Sequence, residues 1–120
     1  VDRENVLVAY IGEQDPQVWL QNEGKGVLMP ILLKTAQEVI YDNLEEKQAA
    51  RIETSVRGQI RALDFWVRFD GIEDTLEKIM EWALEEEKYE MCQEVKYLQD
   101  YTNDLKKTLQ KKDEDFSYRG

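Results

Sequence analysis

Residues 72–109, IEDTLEKIMEWALEEEKYEMCQEVKYLQDYTNDLKKTL, carry the most regular apolar pattern of the chain. Met91, Val95, Leu98, Thr102, Leu105 and Leu109 are separated by gaps of four, three, four, three and four. That spacing keeps one stripe of a helix facing a partner. Ile72, Leu76, Ile79 and Ala83, with gaps of four, three and four, form a second stripe just before it. Between the two lies Glu85-Glu86-Glu87-Lys88, which holds no apolar residue. A short polar break between two stripes predicts a helical hairpin. With no Gly or Pro in the break, one continuous bent helix is the alternative. Thr102 either fixes register or oligomeric state from within the seam, or bonds its hydroxyl to the carbonyl one turn back.

Upstream, the spacing predicts a helix over residues 45–69, in which Ala49, Ile52, Val56, Ile60, Leu63 and Val67 recur every three or four residues. Gly58 lies inside it, at a cost of up to ~1 kcal/mol relative to Ala. It either permits a close backbone approach or is simply tolerated. Phe65, Trp66 and Phe69 cannot all face one side of such a helix. At least one points off the core stripe, as a contact residue or as a surface for the N-terminal segment to pack on. Before it, a helix over 27–44 buries Leu32, Ala36, Val39, Ile40 and Leu44, ends near Asp42-Asn43, and must hold Pro30 in its first turn or kink. Asp15-Pro16 is a helix start, Asp at the N-cap and Pro at the first helical position. The short helix it opens, with Val18, Trp19 and Leu20, stops around Asn22, and Gly24-Lys25-Gly26 makes a turn. Asp70 with Glu73 is a capping box for the helix from Ile72, or Gly71 ends the helix before it. The apolar run Val6 to Ile11 is either a strand or a short helix. As a strand it has no evident partner within the chain and would add to another subunit's sheet; the simpler alternative is an arm packed on the helices.

Two resemblances follow from these residues. Leu76-Glu77-Lys78-Ile79-Met80, Ala83, then Tyr89-Glu90-Met91-Cys92 and Val95-Lys96 resemble the UVR motif, a helical hairpin of the UvrB and UvrC repair proteins and of some Clp-protease partners. Tyr89 and Glu90 match its second helix. Cys92 stands where the first small residue belongs, Gln93 replaces the second, and Lys96 replaces Arg. The resemblance covers about a fifth of the chain and implies a protein–protein contact, not catalysis. Trp19 through Trp66, with Arg57-Gly58-Gln59-Ile60-Arg61-Ala62-Leu63, resembles small helical proteins encoded among bacteriophage structural genes, which implies a role in or beside a virion and lends no functional residue.

Charge and composition narrow the function classes. The 120 residues suffice for one domain with its own core. A net charge of −10 argues against direct binding to a nucleic-acid backbone or an anionic membrane surface, and is compatible with basic protein partners or with imitation of DNA. No apolar run approaches ~18 residues and no basic leader precedes an apolar core, so the expected location is intracellular, cytoplasmic, or the virion on the phage reading. There is no His and one Cys. Histidine-based catalysis and Cys-based zinc sites are therefore excluded within one chain. Cys92 reads as a half-buried core thiol. Glu86, Glu90 and Glu94 share a helical face that is either a solvated surface or an oxygen-only Mg²⁺ or Ca²⁺ site, without any loop pattern for the latter.

The expected fold is therefore all-α: two antiparallel helical hairpins in one compact domain, with an N-terminal arm or strand (1–14), a first hairpin region (15–70), a second, UVR-like hairpin (71–112) and a polar tail (113–120). The expected function is non-catalytic, without metal or cofactor. It acts through protein contacts as a structural or assembly subunit of a homo- or hetero-oligomer, a bacteriophage particle on the phage reading. A regulatory adaptor that binds a repair or protease partner through the UVR-like hairpin and an acidic DNA-mimic inhibitor are the alternatives. Candidate contact residues are Phe65, Trp66, Phe69, Trp82, Tyr89, Met91, Val95, Leu98, Phe116 and Tyr118.

Overall fold

Residues 46–68 of the expected helix over 45–69 are not helical: they form a β-hairpin, and the fold is mixed α/β. A computed structural model describes the backbone of residues 6–119 and the side chains of residues 6–108. Strand β1 (Leu7–Tyr10) leads through a loop to a helical run of α1 (Pro16–Trp19), a π-helical stretch (Leu20–Gly24) and α2 (Lys25–Tyr41). The hairpin β2 (Glu46–Val56) and β3 (Gln59–Arg68) follows, then a 3₁₀ turn (Phe69–Gly71), α3 (Ile72–Glu85) and α4 (Tyr89–Arg119). The sheet order is β1-β2-β3, with β1 parallel to β2 and β3 antiparallel to it.

The expectation of an all-α fold built from two helical hairpins is thus overturned, and the cause lies in two coincident periods. Ala49, Ile52, Val56, Ile60, Leu63 and Val67 fit helical spacing, but Ala50, Ile52 and Thr54 alternate with Arg51, Glu53 and Ser55, and the same stretch is rich in β-branched and aromatic residues. As a hairpin it buries Ala50, Ile52, Thr54 and Val67 and leaves Val56, Ile60 and Leu63 exposed. Arg57 and Gly58, with φ of 51° and 77°, supply the two left-handed residues of a type I′ turn. Gly58 is therefore a turn residue. Gly58→Ala is expected to destabilise the fold by about 1 kcal/mol, because an L side chain there is strained. In a helix the same change would stabilise by roughly 0.5–1 kcal/mol. The sign of the shift in a urea-unfolding midpoint separates the two.

The N-terminal run finds its partner inside the chain. Leu7 pairs with Ala50 and Tyr10 with Glu53. The ladder is extended by Ile11 N–H donating to the Glu53 carbonyl at 2.9 Å and Ser55 N–H to that of Gly12 at 2.8 Å. Residues 1–5 of the expected arm lie outside the described residues. Helix α1 starts as expected, with the Asp15 carboxylate accepting from Gln17 N–H at 2.8 Å and Pro16 at the first position. It does not stop near Asn22: Gly24 and Gly26 lie within continuous helix rather than in a turn, and Pro30 is interior to α2. Helix α2 ends at Asp42, with Asn43 left-handed at φ 55° and Leu44 N–H donating to the Val39 carbonyl at 3.0 Å, the outer bond of a Schellman motif.

The core lies between α2, the inner face of the sheet, α3 and α4. Ala36, Val39 and Ile40 of α2 meet Ala49, Val67, Ile72, Leu76, Ile79, Val95 and Leu98, while Leu32 and Leu44 pack partly buried at its margin. Ile72, Leu76, Ile79 and Ala83 line the buried stripe of α3. Val95, Leu98 and Thr102 are buried on α4, and the Thr102 hydroxyl donates to the Leu98 carbonyl at 2.7 Å. Gly71, not Asp70, occupies the N-cap of α3, and the Asp70 carboxylate pairs instead with Arg68 at 3.4 Å. Ion pairs tie helix to strand and helix to helix, Lys47 of β2 with Glu38 of α2, and Lys106 of α4 with Glu73 of α3. Helix α4 continues over the residues expected to form a polar tail. The side chains of Leu109, Phe116 and Tyr118 lie outside those described.

Candidate functional site

The helices cover one face of the sheet only. Along β3, residues of odd number point inward with Val67, and those of even number point outward. Along β1, Val8 and Tyr10 point outward. Val8, Tyr10, Ile60 and Trp66 are 61%, 60%, 60% and 51% exposed, an unusual set of apolar side chains for one sheet face to leave to water. The register sets them out as a frame. Val8, Arg51 and Asp64 share one row, and Tyr10, Glu53 and Ala62 the next. Ile60 lies opposite Ser55 and Trp66 opposite Gln48, toward the two ends.

A charge-paired ladder fills the middle of that frame. Arg51 lies 3.4 Å from the Asp64 carboxylate and 3.3 Å from that of Glu53, and Gln48 Nε2 donates to Asp64 at 2.8 Å. Each of these groups is partly exposed, so the pairs add little stability. One guanidinium against two carboxylates leaves the ladder with a single net negative charge in a chain of net charge −10. Chemically the face offers apolar side chains around paired charge, the makings of a protein-contact surface. Among the described residues no group of His, Cys, Asp and Glu comes together as a metal-holding cluster.

A second feature lies where α2 meets α4. The rings of Tyr41 and Tyr101 pack edge to face with centroids 5.3 Å apart, and Tyr97 stands nearby. Partial burial first, then Tyr97 and Tyr101, raise the Tyr41 hydroxyl above its ordinary 10.0. An open groove of about 610 Å³ runs past Gln37, Tyr41, Glu90, Gln93, Glu94 and Tyr97. No basic side chain lines it, and nothing in it marks a reacting centre.

The candidate residues named from sequence do not gather in one place. Trp66 is on the outer sheet face, whereas Phe65 points inward, half-buried, and Phe69 packs at the edge of the core. Trp82 is half-buried on α3. Met91 packs against the core, and Val95 and Leu98 are inside it. Tyr89 is exposed at the start of α4, next to the turn that follows the exposed Leu84. Val8, Tyr10 and Ile60 were missed. Residues 7–10 are apolar throughout and 59–67 alternate in polarity only from Gln59 to Ala62, so no local pattern told their outward side chains from the inward ones. Compared with known proteins, the chain matches no family model, no curated protein and no solved structure.

Proposed function

We propose that this chain is a non-catalytic assembly subunit that works through protein contacts, with the outer face of its sheet as the contact surface. The observation that carries the reading is the exposure of Val8, Tyr10, Ile60 and Trp66 together on a sheet face that no described element covers. Charge supports it as well: Arg51 pairs with both carboxylates of the ladder, so a partner meets one net negative charge there rather than two. The absence of His from the sequence removes the commonest general base and fits a role without catalysis.

Sedimentation equilibrium of the purified chain tests the reading. The wild type is expected to be a discrete oligomer. Val8→Lys combined with Tyr10→Lys, on β1, is expected to lower the native mass to a smaller discrete species while leaving the far-UV circular dichroism unchanged, because both side chains are exposed on the single chain. A monomeric wild type, or an unchanged mass in the double variant, sinks the proposal. Tyr89→Ala is expected to change nothing. If it alone dissolves the oligomer, the contact lies at the α3–α4 turn, as the UVR resemblance implies.

A further inference from the structure

Strand β3 is an edge strand of ten residues with no strand on its outer side among the described residues. Long open edges are rare in soluble proteins, because their free N–H and C=O groups template the addition of another strand. We infer that the occupant of this edge is β3 of a second copy, running antiparallel about a two-fold axis through Leu63, so that two sheets merge into one of order β1-β2-β3-β3-β2-β1. The inference rests on the reading of the chain as an assembly subunit and says which contact builds its dimer.

The backbone fixes which residues can pair. A two-residue type I′ turn makes Val56 and Gln59 the hydrogen-bonded pair that closes the hairpin. Bonding then alternates along β3, so residues of odd number bond to β2. Phe69 N–H, which donates to the Glu45 carbonyl at 2.8 Å, keeps that parity beyond the strand. The N–H and C=O groups of Ile60, Ala62, Asp64 and Trp66 therefore point to the open edge, and an antiparallel partner must bond to these residues.

Charge and shape then choose among the registers. An axis through Asp64 would set two Asp64 carboxylates directly opposite each other, which is destabilising. An axis one residue earlier, through Leu63, sets Ile60 opposite Trp66 of the other copy, and Ala62 opposite Asp64, each twice by symmetry. Leu63, 43% exposed on the inner face, then meets its own copy at a position without hydrogen bonds, where side chains approach most closely. Arg61 falls opposite Phe65, within reach of a cation–π contact. In this register no charged side chain of β3 lies opposite one of like sign, since Arg61 faces Phe65 and Asp64 faces Ala62. Repulsion between the two acidic bodies acts over longer distances and is screened beyond about 8 Å at physiological salt. Dimerisation therefore strengthens as salt is added.

Cysteine cross-linking tests the register in the full chain, with Cys92→Ala as background. Leu63→Cys is expected to form a covalent dimer of twice the 14.2 kDa chain mass under copper-phenanthroline oxidation. It should do so at least about an order of magnitude faster than Ala62→Cys or Asp64→Cys, since opposed Cα atoms about 4.5 Å apart suit a disulfide. Faster cross-linking of Asp64→Cys overturns the register, and equal slow rates for all three overturn the edge contact. In the Val8→Lys and Tyr10→Lys background, rapid Leu63→Cys cross-linking is expected to persist. Loss of mass in that background without any Leu63→Cys dimer leaves the outer-face contact standing and removes the edge dimer. An efficient Leu63→Cys dimer with no effect of the β1 substitutions does the reverse.

Discussion

Leu76→Ala is expected to cost about 2–5 kcal/mol of stability, the range for truncating a large aliphatic side chain in a packed interior. Leu76 has no exposed surface and sits in the cluster shared by α2, the sheet, α3 and α4. Small domains are stable by only ~5–15 kcal/mol, so this one change removes much of the margin. In urea unfolding the midpoint should fall while the slope stays the same, since the area exposed on unfolding hardly changes. Leu84→Ala, on the same helix but exposed, is the matched control and should stay within about 0.5 kcal/mol. If both variants behaved alike, α3 would not be held by the stripe described.

Gly24→Ala comes next in size, and its sign is the informative part. In an ordinary helix interior Gly→Ala stabilises by about 0.5–1 kcal/mol. Here a methyl group would lie 2.5 and 2.7 Å from ring carbons of Trp19 and 2.8 Å from its carbonyl oxygen. The ring is buried and the carbonyl belongs to the helix, so neither yields cheaply. Overpacking of this kind costs about 1–3 kcal/mol, which outweighs the propensity gain. The π-helical turn from Leu20 to Gly24 brings Trp19 back over Gly24, and only a residue without Cβ leaves room for its indole. Thermal unfolding followed by Trp fluorescence should show a lowered midpoint. A raised midpoint would mean that the indole packs elsewhere.

The helical stripes from Ile72 onward could be read in the sequence because they lie against the core of the same chain, where spacing and burial coincide. Ile72, Leu76, Ile79, Ala83, Val95 and Leu98 are all buried where the spacing puts them. The segment 45–69 misled for a physical reason. A hairpin of this length offers apolar residues at helical intervals by chance, and its distinguishing evidence is non-local. Strand β2 is stabilised by β1, which lies far off in sequence, and a strand with no visible partner is difficult to credit. The local clue was Gly58, costly in a helix and at ease in a two-residue turn. Of the contact candidates, Trp66 lies exposed on the outer sheet face, and it stood out because three aromatics in five residues cannot share one face of a helix. That conclusion survives on a strand, where Phe65 and Trp66 point to opposite sides. Val8, Tyr10 and Ile60 could not be found without the register that aligns them with it.

The parallel pairing of β1 with β2 bears on how the chain is made. During synthesis Leu7–Tyr10 leaves the ribosome well before its partner, Ala50 to Glu53, which emerges only after the whole helical run between them. Until then β1 has no ladder to join, and Val8 and Tyr10 are open to any passing strand edge. Closing so wide a loop is an entropic cost that must be met before the contact rewards it. The sheet should therefore be completed late, after the hairpin and the α2 helix that supports it, and β1 should be the last strand to be protected from hydrogen exchange when the chain refolds.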